Sequence, residues 1–133
     1  MSRSERPGNP SAARAGDNKF PRSVRLLRHA DFESVYEKGR RLFSSNLTVF
    51  YQPRPGGEGL RVGFTVSRAL GGAVVRNRMK RRLREAVRLR RPEANIPVDI
   101  VINPKKSLLL ARFEDLLKEV GRAFEVIQQK SGV

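Results

Sequence analysis

The stretch from Arg76 to Arg91 (RNRMKRRLREAVRLRR) carries nine cations and a single acid, Glu85, yet it is also patterned for burial. Val75, Met79, Leu83 and Ala86 recur at helical spacing, so steps of 100° place them on one side of a helix running from Ala73 to about Leu89. Asn77, Arg81, Arg84 and Arg88 fall on the opposite side, with Lys80 at its margin. Any fold of this chain must give that helix an apolar neighbour on one side and a polyanion or water on the other. A solvated face normally alternates signs, which this one does not, and the apolar stripe lacks the Trp or Phe of a lipid-inserting helix. Sixteen helical positions span about 24 Å, enough to follow several phosphates, so nucleic acid is the expected partner.

The charge is concentrated. This stretch holds a net +8 of the chain's +15, whereas residues 112–130 carry four cations and four acids. At 133 residues the chain has room for one domain, expected over residues 23–130. Residues 1–22 scatter Arg3, Arg6, Arg14, Lys19 and Arg22 among Ser, Gly, Pro and Asn with no apolar period, and read as a disordered basic arm. No run approaches the roughly 20 apolar residues of a membrane span, and no signal-peptide pattern opens the chain, so a cytoplasmic protein without a membrane partner is expected.

The absence of cysteine excludes disulfides, thiolate metal sites and cysteine nucleophiles, and one histidine, His29, all but excludes a histidine metal centre. Protein-catalysed hydrolysis of a phosphodiester calls for clustered carboxylates around Mg²⁺ or a histidine acid/base pair. The acids here are dispersed and His29 has no identifiable partner, so no catalytic and no metal-binding residue is assigned to the protein.

Asp31 is placed to cap a first helix containing Phe32, Val35 and Tyr36, and Gly39 to stop it. Leu47–Tyr51 and Leu60–Ser67 read as strands, and the Pro- and Gly-rich residues between them predict an antiparallel hairpin with a long tip. Val98–Asn103 reads as a strand ending at Pro104, and Phe113, Leu116, Leu117, Val120, Phe124 and Ile127 stripe a final helix. A strand, a long helix and another strand in succession suggest a parallel pair with a crossover, which the general rule makes right-handed. Phe32, Tyr36 and Phe50 are either core residues, as periodicity favours, or rings on which single-stranded bases stack beside a cationic groove.

The segment Arg61 to Arg88, with Gly71, Ala73, Val74, Arg76, Asn77, Lys80, Arg81 and Arg84 in a Gly-Ala-Val lead-in and an Arg-Asn-x-x-Lys-Arg-x-x-Arg helix, closely resembles the protein component of bacterial ribonuclease P. With fewer matched positions the resemblance covers Arg25 to about Lys106, about two-thirds of the chain. It implies a subunit that binds a catalytic RNA and helps it remove the 5′ leader of precursor tRNA. The RNA would supply the active site and hold the Mg²⁺. The fold implied is a two-layer α/β (α+β) sandwich, a three- to four-stranded mixed sheet with three helices and, against the general rule, a left-handed strand-helix-strand crossover.

Carried over by position, Arg76, Asn77, Lys80, Arg81 and Arg84 would contact RNA, joined on the same basic helix by Arg78 and Arg88. Phe32, Tyr36 and Phe50 would line a leader cleft; family members often have phenylalanine at the Tyr36 position. The expected partners are the ribonuclease P RNA and precursor tRNA, not DNA. The rival readings are a ribosomal protein or RNA chaperone, a protein-only nuclease, and a DNA-binding regulator using the basic helix in a major groove.

Overall fold

The structure, a computed structural model, describes residues 28–55, 59–91 and 97–130. The arm expected over residues 1–22 lies outside the described residues, as does the middle of the Pro- and Gly-rich tip. In chain order the elements are α1 (His29–Lys38), β1 (Arg40–Phe43), β2 (Leu47–Pro53), β3 (Arg61–Phe64), α2 (Ala73–Arg90), β4 (Val98–Pro104) and α3 (Phe113–Lys130). Short 3₁₀ turns at Arg68–Leu70 and Lys106–Leu110 precede α2 and α3.

The four strands form one mixed sheet in the order β1-β2-β4-β3, with β3 and β4 parallel and the other pairs antiparallel. This corrects the expected hairpin: β2 and β3 do not pair, because β4 lies between them. The reason is burial. Val98, Ile100 and Ile102 on one face of β4 and Val101 on the other are all buried, and only an interior strand covers both faces while satisfying both backbone edges. The hairpin partner of β2 is instead β1, whose four residues, RRLF, carry too short an alternation to stand out in sequence.

One face of the sheet holds the main core. Leu47, Val49 and Tyr51 of β2, Val62 of β3 and the three apolar residues of β4 meet Met79, Leu83, Ala86 and Val87 of α2 and Leu116, Val120, Phe124 and Ile127 of α3. That core is what makes α2 a helix. Like charges at Arg76–Lys80, Arg78–Arg82, Lys80–Arg84 and Arg84–Arg88 together oppose it by roughly 1–2 kcal/mol. Burial of Met79, Leu83 and Val87 contributes roughly 1.5–3 kcal/mol each, so packing wins.

Among the described residues the other face carries only α1, with a small cluster of Val35 and Val101 flanked by Phe32 and Phe50. Polar contacts add to that cluster in holding α1 on the sheet. Asp31 does not cap the helix, which starts two residues earlier after Arg28; it lies in the first turn, 3.7 Å from Arg61 Nη1. Ser34 Oγ donates to Gln52 Oε1 at 3.0 Å. Gly39 does end α1, but from an extended conformation rather than a left-handed one. A Cβ there would collide with the Val35 carbonyl oxygen and stand 2.7 Å from that of Tyr51, so the turn from α1 into β1 admits no side chain.

The crossover hand follows from one hydrogen bond. In a strand of L-residues running upward, a residue whose side chain faces the viewer points its N–H and C=O to the right, a consequence of its chirality. Seen from α2, Ile102 faces the viewer and its carbonyl accepts the Thr65 N–H at 3.0 Å, so β3 lies to the right of β4. The chain therefore rises in β3, returns through α2 in front, and enters β4 on the left. The crossover is left-handed, as the family resemblance implied and against the general preference.

Candidate RNA interface

Two surfaces carry the residues singled out from the sequence, and the sheet separates them. On α2, Asn77, Arg78, Arg81 and Arg84 are exposed and Lys80 is half-buried at the margin of the packed side. Arg76 is also half-buried, its Nε donating to the Gly71 carbonyl at 3.2 Å, which ties the first turn of the helix to its own lead-in. Arg88 donates from Nε to Glu85 Oε1 at 3.1 Å and from Nη2 to Glu85 Oε2. That hydrogen bonding lowers the Glu85 carboxyl below its usual range and raises Arg88.

Not every cation of the run faces outward. Arg82 turns back to the 3₁₀ segment ahead of α3, where Nη1 donates to the carbonyls of Leu108 (3.2 Å) and Leu109 (3.1 Å) and Nη2 to that of Ala111 (2.7 Å). Its guanidinium also lies 6.0 Å from the Phe113 ring centre. The stem of Arg90 rests against Gly121 of α3. These two arginines fasten α2 to α3, which sequence could not separate from nucleic-acid contacts of the same residue type.

The second surface is the sheet face beside α1. Tyr36 and Phe50 meet edge to face with ring centres 4.9 Å apart, and Phe32 packs beside Val35 and Val101. These rings are neither fully core nor fully open: Phe32 and Phe50 are half-buried against the small cluster, while Tyr36 is 38% exposed. The Tyr36 hydroxyl is 2.7 Å from Thr65 Oγ1 and 3.0 Å from Asn103 Oδ1. It donates to the amide oxygen and accepts from the threonine, pinning the ring to β3 and β4 through bonds that a phenylalanine cannot make.

Residues that sequence reading missed complete this face. Arg41 and Phe43 of β1 lie on it, because Arg41 is paired with Phe50 in the register, and the Arg41 guanidinium is 5.5 Å from the Phe50 ring centre and 5.6 Å from that of Phe43. Asp99 is buried at the floor and accepts from Arg61 Nε and Nη2, both at 2.9 Å, and from Arg54 Nη1 at 2.8 Å. The Asp99 hydrogen bonds raise Arg61, with burial opposing them. An acid inside VDIVIN is the visible signal, but its partners stand 38 and 45 residues away and only the sheet register joins them.

Among the described residues no three of His, Asp or Glu gather as metal ligands. Asp99 accepts from two arginines, and Glu119 accepts from Ser44 Oγ (2.5 Å) and both the backbone and side-chain nitrogens of Asn46. His29 is exposed beside Glu33, 3.4 Å away, with no further partner of catalytic type among the described residues.

Residues 20–128 match the family described as Ribonuclease P. The chain belongs to the ribonuclease P protein family. It is 47% identical over 88 residues to the ribonuclease P protein component of Desulfovibrio desulfuricans, covering 65% of this chain and 68% of that one. With the component from Citrifermentans bemidjiense it shares 39% over 113 residues, covering 85% and 96%. Its structure is similar to the ribonuclease P protein of Thermotoga maritima (TM-score 0.63, 29% identity, 74% and 96% covered). The fold likewise matches that of Staphylococcus aureus (TM-score 0.68, 23% identity, 77% and 94% covered). As a ribonuclease P protein the chain is the protein subunit of the endoribonuclease that matures tRNA 5′ ends, and its partner is the ribonuclease P RNA. Among the described residues no helix is long and apolar enough to cross a membrane.

Proposed function

We propose that this ribonuclease P protein docks on its RNA through the outward side of α2 and holds the 5′ leader of precursor tRNA on the sheet face beside α1. Asn77, Arg78, Arg81 and Arg84 meet RNA phosphates, with Arg76, Lys80 and Arg88 at the edges of that contact. Phe32, Tyr36 and Phe50 offer the leader bases their rings. The RNA holds the Mg²⁺ that cleavage needs, and the complex works in the cytoplasm.

The observation that carries the reading is the unequal covering of the sheet. One face is sealed by two 18-residue helices. Among the described residues the other has one 10-residue helix in which Val35 alone is fully buried, with aromatic rings and an arginine partly open side by side. Stacking and cationic contact together are what a single strand requires, at about 1–3 kcal/mol per stacked base.

Reconstitution with the organism's own ribonuclease P RNA tests the proposal. At low Mg²⁺ the protein should stimulate cleavage at the mature 5′ end and bind leader-bearing precursor more tightly than mature tRNA. Phe32→Ala should remove most of that preference while leaving affinity for the RNA subunit unchanged. Equal losses for precursor and mature tRNA would return Phe32 to a purely structural role.

A further inference from the structure

We infer that the leader path does not end at Phe50 but continues onto β1, where Phe43 and Arg41 form one more nucleotide position. The inference rests on the leader-cleft reading and extends it by a subsite at the edge of the sheet.

Phe43 is the clearest anomaly on this face. A phenylalanine on a four-residue edge strand, 71% exposed, leaves most of its ring in water although an apolar core lies on the opposite side of the same sheet. Its neighbour Leu42 points the other way and packs against that core, so the strand is in a defined register and Phe43 is not a core residue slipped out of place. The ring faces the same way as Phe50, from which it is the diagonal neighbour across the β1–β2 pair, about 7–8 Å away between backbones. That separation matches one step of an extended single strand.

The Arg41 guanidinium stands between the two rings at nearly equal distances from both. Tyr36, Phe50, Arg41 and Phe43 therefore form a continuous row from α1 to the sheet edge. A base stacked on the open part of the Phe43 ring brings its phosphate to the cation that already bridges to Phe50, so one side chain serves two adjacent nucleotides.

Hydrogen bonds tie the turn that follows β1 to its neighbours. Ser44 N–H donates to the Leu47 carbonyl at 3.0 Å to close the turn, and Glu119 of α3 accepts from Ser44 and Asn46 within it. Lys105 Nζ adds a bond to the Ser44 carbonyl at 2.6 Å. A stacking ring on a held strand loses less freedom on binding than one on a free loop.

The experiment measures binding of precursor tRNAs, whose leaders are shortened one nucleotide at a time, to the reconstituted holoenzyme carrying either the wild-type protein or Phe43→Ala. Wild-type affinity should rise in steps with leader length. In Phe43→Ala the last of those steps should vanish, an affinity loss of about 5- to 150-fold confined to leaders long enough to reach β1. Phe43→Trp should keep it. Because the ring is exposed, the alanine variant should melt with the wild type, which separates loss of stacking from loss of the fold.

Identical length dependence in Phe43→Ala and wild type would overturn the subsite while leaving the cleft standing. So would a loss spread equally over all leaders, or a tryptophan variant that behaves as alanine does. A wild-type protein indifferent to leader length would overturn the cleft reading itself, and the Phe43 position with it.

Discussion

Arg81 and Arg82 are adjacent in sequence and identical in chemistry, yet their replacement by alanine should produce opposite phenotypes. Arg81 is exposed on the outward side of α2, while Arg82 spends its guanidinium on the carbonyls of Leu108, Leu109 and Ala111. Hydrogen bonds from a charged group are worth about 1.5–3 kcal/mol each when the partner is left dry. The turn bearing these carbonyls is partly open, with Leu110 almost fully exposed, so water replaces much of what Arg82 gives. One bond's worth, about 2 kcal/mol, is the expected loss of stability in Arg82→Ala. For a domain of this size that lowers the melting midpoint by roughly 8 °C. Its effect on RNA binding at a temperature where the variant is folded should be slight.

Arg81→Ala should leave stability within about 0.5 kcal/mol of wild type. It should reduce the magnitude of the slope of log affinity against log salt by about 0.7–0.9, because one phosphate is no longer neutralised. Thermal melts followed by circular dichroism, and titration of the ribonuclease P RNA across a range of salt concentrations, read the two quantities independently. An Arg82→Ala variant that flattens the salt slope at unchanged stability, or an Arg81→Ala variant that melts early with its slope intact, would reverse the roles assigned to these two arginines.

Three further outcomes follow from the hydrogen bonds and close approaches already described. Glu85→Gln should strengthen RNA binding in the same salt titration, because it releases Arg88 and removes the helix's one acid; Arg88 lowers the Glu85 carboxyl, so at neutral pH the pair is intact and only substitution breaks it. Gly39→Ala should cost about 1–3 kcal/mol in a denaturant melt, since its Cβ would press on two backbone oxygens that cannot swing aside, and an unchanged midpoint would remove the close approach as the reason for glycine. Glu119→Ala should speed hydrogen exchange at the Asn46 amide and destabilise by about 1–3 kcal/mol, because that amide donates to the carboxylate the substitution removes.

Much of this protein was legible in one dimension because its helices obey simple periods. Met79, Leu83 and Ala86 appear as a stripe in the sequence and are buried in the structure, α2 runs close to the expected bounds, and the stripe from Phe113 to Ile127 lies within α3. The same periodicity left Phe32 and Phe50 ambiguous for a physical reason: a ring that packs one edge on a small cluster and shows the other to solvent satisfies both patterns. The expected β2–β3 hairpin failed because proximity in sequence is a weaker rule than covering a strand on both faces. Phe43 and Arg41 were missed because four residues, RRLF, hold only one inward apolar position, and such a strand is defined by its neighbours.

The sequence alone determined that a basic helix would need an apolar support and an anionic partner, since the charge of nine cations and the spacing of the apolar residues between them are local properties. Its run from Arg61 to Arg88 also carried the family. Only the tertiary structure decided which cations are spent inside the protein, as Arg82 is, and which aromatic rings share one face. It also decided the left-handed return of the chain from β3 to β4. Those depend on which strands lie side by side and on which side of the sheet a helix crosses, and contacts between residues far apart in the chain fix both.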